Sequence, residues 1–94
     1  MKEFMIEDNK YEIIKNERDG FDLEEVKSKL TDYFFPFDYV VGDWAYGKLR
    51  LKGFYDKNNK ECKPINNIEN VEKYIKNNCA FNCKHFILKK CIQK

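Results

Sequence analysis

The segment Lys48-Leu49-Arg50-Leu51-Lys52-Gly53-Phe54 carries the sharpest chemical pattern in the chain. Side chains of an extended strand alternate between faces, so Lys48, Arg50, Lys52 and Phe54 share one face, with cations about 6.6 Å apart, while Leu49 and Leu51 share the other. Cations at this spacing suit phosphates and a ring beside them suits base stacking, the combination that single-stranded nucleic-acid binders use. Lys52-Gly53-Phe54 echoes the start of an RNA-recognition signature, but Tyr55-Asp56 departs from it and the triplet closes its strand instead of opening one. The plainer reading of the same face is solvated surface whose cations pair with neighbouring acids.

Just upstream, Gly42-Asp43-Trp44-Ala45-Tyr46-Gly47 sets an acid, the only tryptophan and a tyrosine between two glycines. As a loop it offers Asp43, Trp44 and Tyr46 to a protein partner. As packing, Trp44 folds back over the core. Cys79, Cys83 and His85 form C-x3-C-x-H, which Cys62 or Cys91 could complete for zinc. The usual knuckle spacing is C-x2-C, so the cysteines read as buried, unliganded thiols, and neither metal nor cofactor is expected. Nothing obvious orients the imidazole of a Cys83–His85 nucleophile pair. Ser28 and Thr31 are the only hydroxyl residues besides the tyrosines, and no glycine-rich loop cradles phosphate. The chain therefore reads as a binding module more than an enzyme, with Asp43, Tyr46 and Arg50 the set that could line a small acid/base site.

The elements that must hold these residues follow from periodicity. Phe4 to Ile6 reads as a short strand, Glu7-Asp8-Asn9-Lys10 as a turn and Tyr11 to Lys15 as a longer strand. Asp22, with Glu25 three positions on, caps a helix whose apolar stripe is Leu23, Val26, Leu30, Tyr33 and Phe34, ended by Pro36. Asp38 to Val41 and Lys48 to Tyr55 read as strands either side of the Gly42 to Gly47 loop. Asn66 with Glu69 caps a second helix carrying Ile68, Val71, Ile75 and Cys79. Lys84 to Ile92 is a last strand with apolar residues of both parities, as expected of a strand covered on both faces or paired centrally. Leaving aside the first short strand, the order β-α-β-β-α-β is that of the split βαβ, ferredoxin-like sandwich. The expectation is thus an α+β two-layer fold, an antiparallel sheet with helices near 22–35 and 67–78 on one face. The basic strand would then be central, its other face an open platform.

The whole chain is 94 residues, enough to bury about 65% of its unfolded surface in one domain spanning 1–94. At 43% hydrophobic and 36% charged it is globular, and its apolar runs are far too short for a membrane span. Met1 to Glu7 holds two acids and no signal-peptide pattern, so the expected address is the cytoplasm, with reduced cysteines. The net charge of +2 divides unevenly, −6 over residues 1–47 and +8 over residues 48–94. That asymmetry favours an acidic partner if folding keeps the basic half contiguous.

Asp38-Tyr39-Val40-Val41-Gly42-Asp43-Trp44-Ala45-Tyr46-Gly47-Lys48-Leu49-Arg50-Leu51-Lys52-Gly53-Phe54 resembles the signature of the YutD-like family, small proteins of low-GC Gram-positive bacteria and their relatives. The likeness extends to Arg18-Asp19-Gly20-Phe21, to Cys79-Ala80-Phe81-Asn82-Cys83 and to Ile87-Leu88-Lys89-Lys90. Lys48 and Asn82 depart from the family's usual glutamine and glycine, whereas Arg50 and Lys52 fit its pattern. The resemblance implies a cytosolic bacterial protein and brings no established reaction with it. Two functions remain: a module contacting single-stranded nucleic acid or ribosome-associated RNA through Lys48, Arg50, Lys52 and Phe54, or a protein–protein adaptor or regulator using Asp43, Trp44 and Tyr46.

Overall fold

The computed structural model describes residues 3–78 and 84–91. Five strands, β1 (Glu3–Ile6), β2 (Asn9–Glu17), β3 (Tyr39–Ala45), β4 (Lys48–Phe54) and β5 (His85–Cys91), form one antiparallel sheet with two helices, α1 (Leu23–Lys29) and α2 (Val71–Asn78). The strand order is β1-β2-β5-β3-β4. This differs from the ferredoxin-like order: β5 lies between β2 and β3, and β4 stands at the edge instead of the centre. The cause is legible in composition. β5 carries Phe86-Ile87-Leu88, apolar on both faces, and a central position covers both. β4 alternates cations with leucines and tolerates an edge, where charged side chains oppose unwanted pairing.

The helices lie on opposite faces, not on one. Val26 and Leu30 from the α1 segment pack with Tyr11, Val40, Leu49, Phe86 and Leu88, with Phe4 continuing the layer. Val71, with Ile68, Tyr74 and Ile75 from the α2 segment, packs with Val41, Phe54 and Ile87. Val40 against Val41, and Phe86 against Ile87, are successive residues of one strand, so the two clusters occupy the two sides of the sheet. The expected open platform is therefore covered at its Phe54 end by α2.

Local chemistry sets the helix boundaries. The Asp22 carboxylate accepts from the amides of Glu24 (3.1 Å) and Glu25 (3.3 Å), the cap expected from sequence. α1 ends at Lys29 instead of running to residue 35, because Leu30 and Thr31 turn extended and the chain restarts as a single 3-10 turn, Asp32–Phe34. That break lets neighbouring Phe34 and Phe35 both pack against the α1 layer. At α2 the cap shifts by one residue: Asn67 accepts from Glu69 (2.9 Å) and opens the 3-10 turn Ile68–Asn70, while Asn66 accepts from Lys63 (2.7 Å).

Two buried positions generate measurable consequences. A Cβ on Gly42 would fall 2.2 Å from the Phe86 ring, so glycine here admits the ring that fills the α1 layer. Gly42→Ala is expected to cost about 1–3 kcal/mol, read as a lower urea midpoint at unchanged slope. Tyr11 is fully buried, and its hydroxyl has no hydrogen-bond partner among the described residues. Burial pushes its phenol up to about 12 from 10.0. A folded value above the unfolded one leaves this contribution intact below about pH 10 and removes it as pH climbs towards 12. Tyr11→Phe is expected to raise stability at neutral pH by about 1 kcal/mol, by removing an unpaired buried hydroxyl, and to flatten the fall between pH 10 and 12 in pH-dependent urea titrations.

Candidate functional site

Gly42 to Gly47 is not a loop. β3 runs through Ala45, and only Tyr46-Gly47 turns, with φ of 53° and 75°. Two successive left-handed residues between the paired Ala45 and Lys48 make a type I′ hairpin, whose twist matches the flanking strands. Gly47 suits that backbone; Tyr46 does not, since a bulky side chain at positive φ is strained. Its ring is fully exposed. Trp44, by contrast, is folded back: its indole N–H donates to the Gly20 carbonyl at 2.7 Å, and the ring lies 5.3 Å from the Lys84 ammonium. Of the three residues read as a partner loop, Tyr46 projects outward, Trp44 is half-buried and Asp43 is buried.

Asp43 faces Arg50 directly across the β3–β4 ladder. The Arg50 guanidinium donates to the Asp43 carboxylate at 2.5 Å, with the Asp43 side chain 4% exposed and that of Arg50 48%. The hydrogen bond and the charge of Asp43 push the guanidinium above its ordinary value, so it stays charged at every workable pH. The pair belongs to the face that α2 covers. Tyr74 of α2 meets the Phe54 ring edge-on at 5.4 Å, and the Lys52 ammonium sits 5.3 Å from the Phe54 centroid and 5.7 Å from that of Tyr74. Burial, with Asp43 second, raises the Tyr74 phenol.

The basic strand thus has the alternation expected of it but not the openness. Leu49 and Leu51 join the α1 layer, and Lys48, Arg50, Lys52 and Phe54 take the other side. Phe54 is completely buried, so the stacking role read from the sequence is corrected: no base can reach its face. Arg50 is engaged by Asp43, Lys52 lies on two rings, and Lys48 is exposed beside the turn.

Among the described residues no three His, Cys, Asp or Glu side chains converge on a metal position. Cys79 and Cys83 lie outside the described residues. Cys62 is half-buried, and burial, together with Asp56, Glu69 and Asp38, pushes its thiol up, the opposite of an activated nucleophile. His85 begins β5 beside Glu17 and Asp43.

Three features escaped the sequence reading. Tyr33 and Ile65 are large apolar side chains left 68% and 75% exposed. Ile65, isolated in a polar connection, was the visible signal; Tyr33 was misread because the helix stripe was extended through it. The third is a second left-handed pair, Arg18 (φ 57°) and Asp19 (φ 55°), in the turn closed by the Gly20 amide donating to the Glu17 carbonyl at 3.1 Å. The Asp-Gly dipeptide marked a turn, though not one placing a charged pair at positive φ.

The model of the family described as "Putative antitoxin YutD-like" matches residues 5–89. The chain belongs to the YutD-like family. The Bacillus subtilis (strain 168) protein named "Putative antitoxin YutD" is 40% identical over 86 residues, covering 92% of this chain and 94% of that protein. The solution NMR structure of protein yutD from B. subtilis aligns with a TM-score of 0.81 at 37% identity, over 97% of this chain and 83% of that one. The chain is thus an α+β arrangement with a five-stranded antiparallel sheet, and the NMR structure is similar to it. None of its described helices is long and apolar enough to cross a membrane.

In this YutD-like chain the Asp43–Arg50 pair binds the hairpin together. Arg50→Ala strands a buried carboxylate and is expected to cost about 2–3 kcal/mol by urea denaturation, whereas Lys48→Ala, at an exposed position, should stay within about 0.5 kcal/mol.

Proposed function

We propose that this chain is a non-catalytic protein-binding module, a single cytosolic domain over residues 1–94 that restrains a protein partner by direct contact through the β3–β4 hairpin. The observation that carries this reading is Tyr46. A type I′ turn is best served by Asn-Gly, yet its first position holds a fully exposed ring at φ 53°, a choice that costs the fold and gives it no packing in return. Exposed tyrosine on a rigid hairpin is the kind of side chain that anchors protein interfaces, because it brings large area and a polar tip at low entropy cost. The word antitoxin in the name of the 40% identical relative supports this reading, with a toxin protein as the partner we propose. The nucleic-acid reading has lost its stacking ring with the burial of Phe54 and retains Lys48, Arg50 and Lys52 as cations.

Retention of a tagged chain's partner from its own lysate after nuclease treatment, then reconstitution of the pair from purified components with the mass read by light scattering, tests the reading. Tyr46→Asn is expected to weaken the reconstituted complex at least about tenfold, while stability holds or rises by about 0.5 kcal/mol because asparagine fits the turn. Recovery of nucleic acid alone, lost on nuclease treatment and on replacing Lys48, Arg50 and Lys52, would overturn it and assign the surface to phosphates.

A further inference from the structure

Where α2 meets β2, cations gather around a single carboxylate. Lys15 and the α2 residues Lys73 and Lys76 line a groove of about 500 Å³, together with Glu72, Ile75 and His85. Lys15 sits beside Ile87 in the ladder, on the side of the sheet that α2 covers, and its ammonium lies 3.8 Å from the Glu72 carboxylate. Glu72 also stands four positions before Lys76, the spacing at which a glutamate reaches a lysine one turn on. It is the one acid among the described lining residues, since Glu17 and Asp43, which flank His85 in the ladder, do not line the groove. Three lysines against one glutamate leave an excess of two positive charges. The bridge at the centre is weak: the Glu72 side chain is 83% exposed and that of Lys15 32%, so the acid can turn into water while the lysine stays at the groove wall.

We infer that the groove between α2 and β2 binds a phosphate dianion, free or carried on a small molecule, and that Glu72 holds the place of that anion until it arrives. A phosphate group carries about −1.5 to −2 charge at pH 7, which matches the excess, whereas a single carboxylate leaves half of it uncompensated. Lysine suits this ligand, since its compact ammonium on a flexible stem meets phosphate as a point charge and needs no bidentate geometry. The groove also has room for an organic body, its volume lying within the roughly 300–1,000 Å³ of small-molecule sites. Ile75, packed against the core of the α2 side, and the lysine stems give that body apolar walls. The site shares no residue with the Tyr46 contact, so either can fail alone.

The probes are inorganic phosphate and phenyl phosphate, titrated at constant ionic strength into the isotopically labelled full chain, with acetate as the monoanion control. Saturable NMR shifts are expected at Lys15, at Glu72 to Lys76 and at His85, with a Kd on the order of millimolar for inorganic phosphate. Phenyl phosphate binding at least about threefold more tightly assigns the site to a phosphorylated small molecule, and equal binding assigns it to free phosphate. Lys15→Ala and Lys76→Ala should each weaken binding at least about threefold, the scale of an exposed ion pair. Glu72→Gln should tighten it by about the same factor, which a merely structural bridge would not do. Tyr46→Asn should leave it unchanged. No saturation at tens of millimolar phosphate, equal shifts with acetate, or a Glu72→Gln chain that binds no more tightly would overturn the inference. So would a single-stranded oligonucleotide without terminal phosphate that moves these residues together with Lys48 and Lys52, since the groove would then follow a nucleic-acid backbone.

Discussion

The run Phe86-Ile87-Leu88 in β5 governs the rest of the molecule. Three successive apolar side chains on a strand point to alternate faces, and none is more than 5% exposed, so the sheet needs cover on both sides. The α1 layer closes over Phe86 and Leu88, and α2 closes over Ile87. Because β5 must also be flanked, it sits between β2 and β3, antiparallel to both, and the β3–β4 hairpin is displaced outward. Val40-Val41 in β3 repeats the demand beside it, and these adjacent pairs of opposite parity tie the two cores to one backbone.

From that arrangement follows the character of β4. As an edge strand it needs only one fully apolar face, and its leucines meet the α1 layer while its cations turn to the side where α2 ends the cover. Buried Asp43 would be costly alone, and Arg50 opposite it keeps the carboxylate paired while leaving half of the guanidinium in water. Lys52 lies over Phe54 and Tyr74, adding cation–π attraction to the seam between sheet and helix. The basic stripe is thereby part structural, with Lys48 at its exposed end.

Among the described residues, three of the four non-glycine residues at positive φ, all but Glu7 in the β1–β2 turn, gather at one end of this framework. Arg18 and Asp19 close the turn after β2, and Tyr46 begins the β3–β4 turn, both at the end where β5 starts. Trp44 joins them, since its indole bond to Gly20 ties the two turns together. Each such residue costs on the order of 1 kcal/mol, and the tightly packed sheet holds the geometry regardless. A rigid base under a strained, exposed ring is what pre-organises a contact, because little further ordering remains to be done on binding.

By itself the sequence determined the local elements and the face assignments within each strand. Period-two alternation put Lys48, Arg50 and Lys52 opposite Leu49 and Leu51, and the Asp22 cap placed the start of α1. The mixed parity of β5 even held the clue that both faces are covered, but the β-α-β-β-α-β order pointed to one layer of helices and a central β4. Which strands pair, and which face each helix takes, depend on contacts between residues far apart in the chain, to which periodicity is blind. Only tertiary structure could therefore bury Phe54, fold Trp44 onto Gly20 and leave Tyr46, Tyr33 and Ile65 outward. Residues of one apolar class were separated by where the two layers end, since cover is a property of the neighbours and not of the side chain.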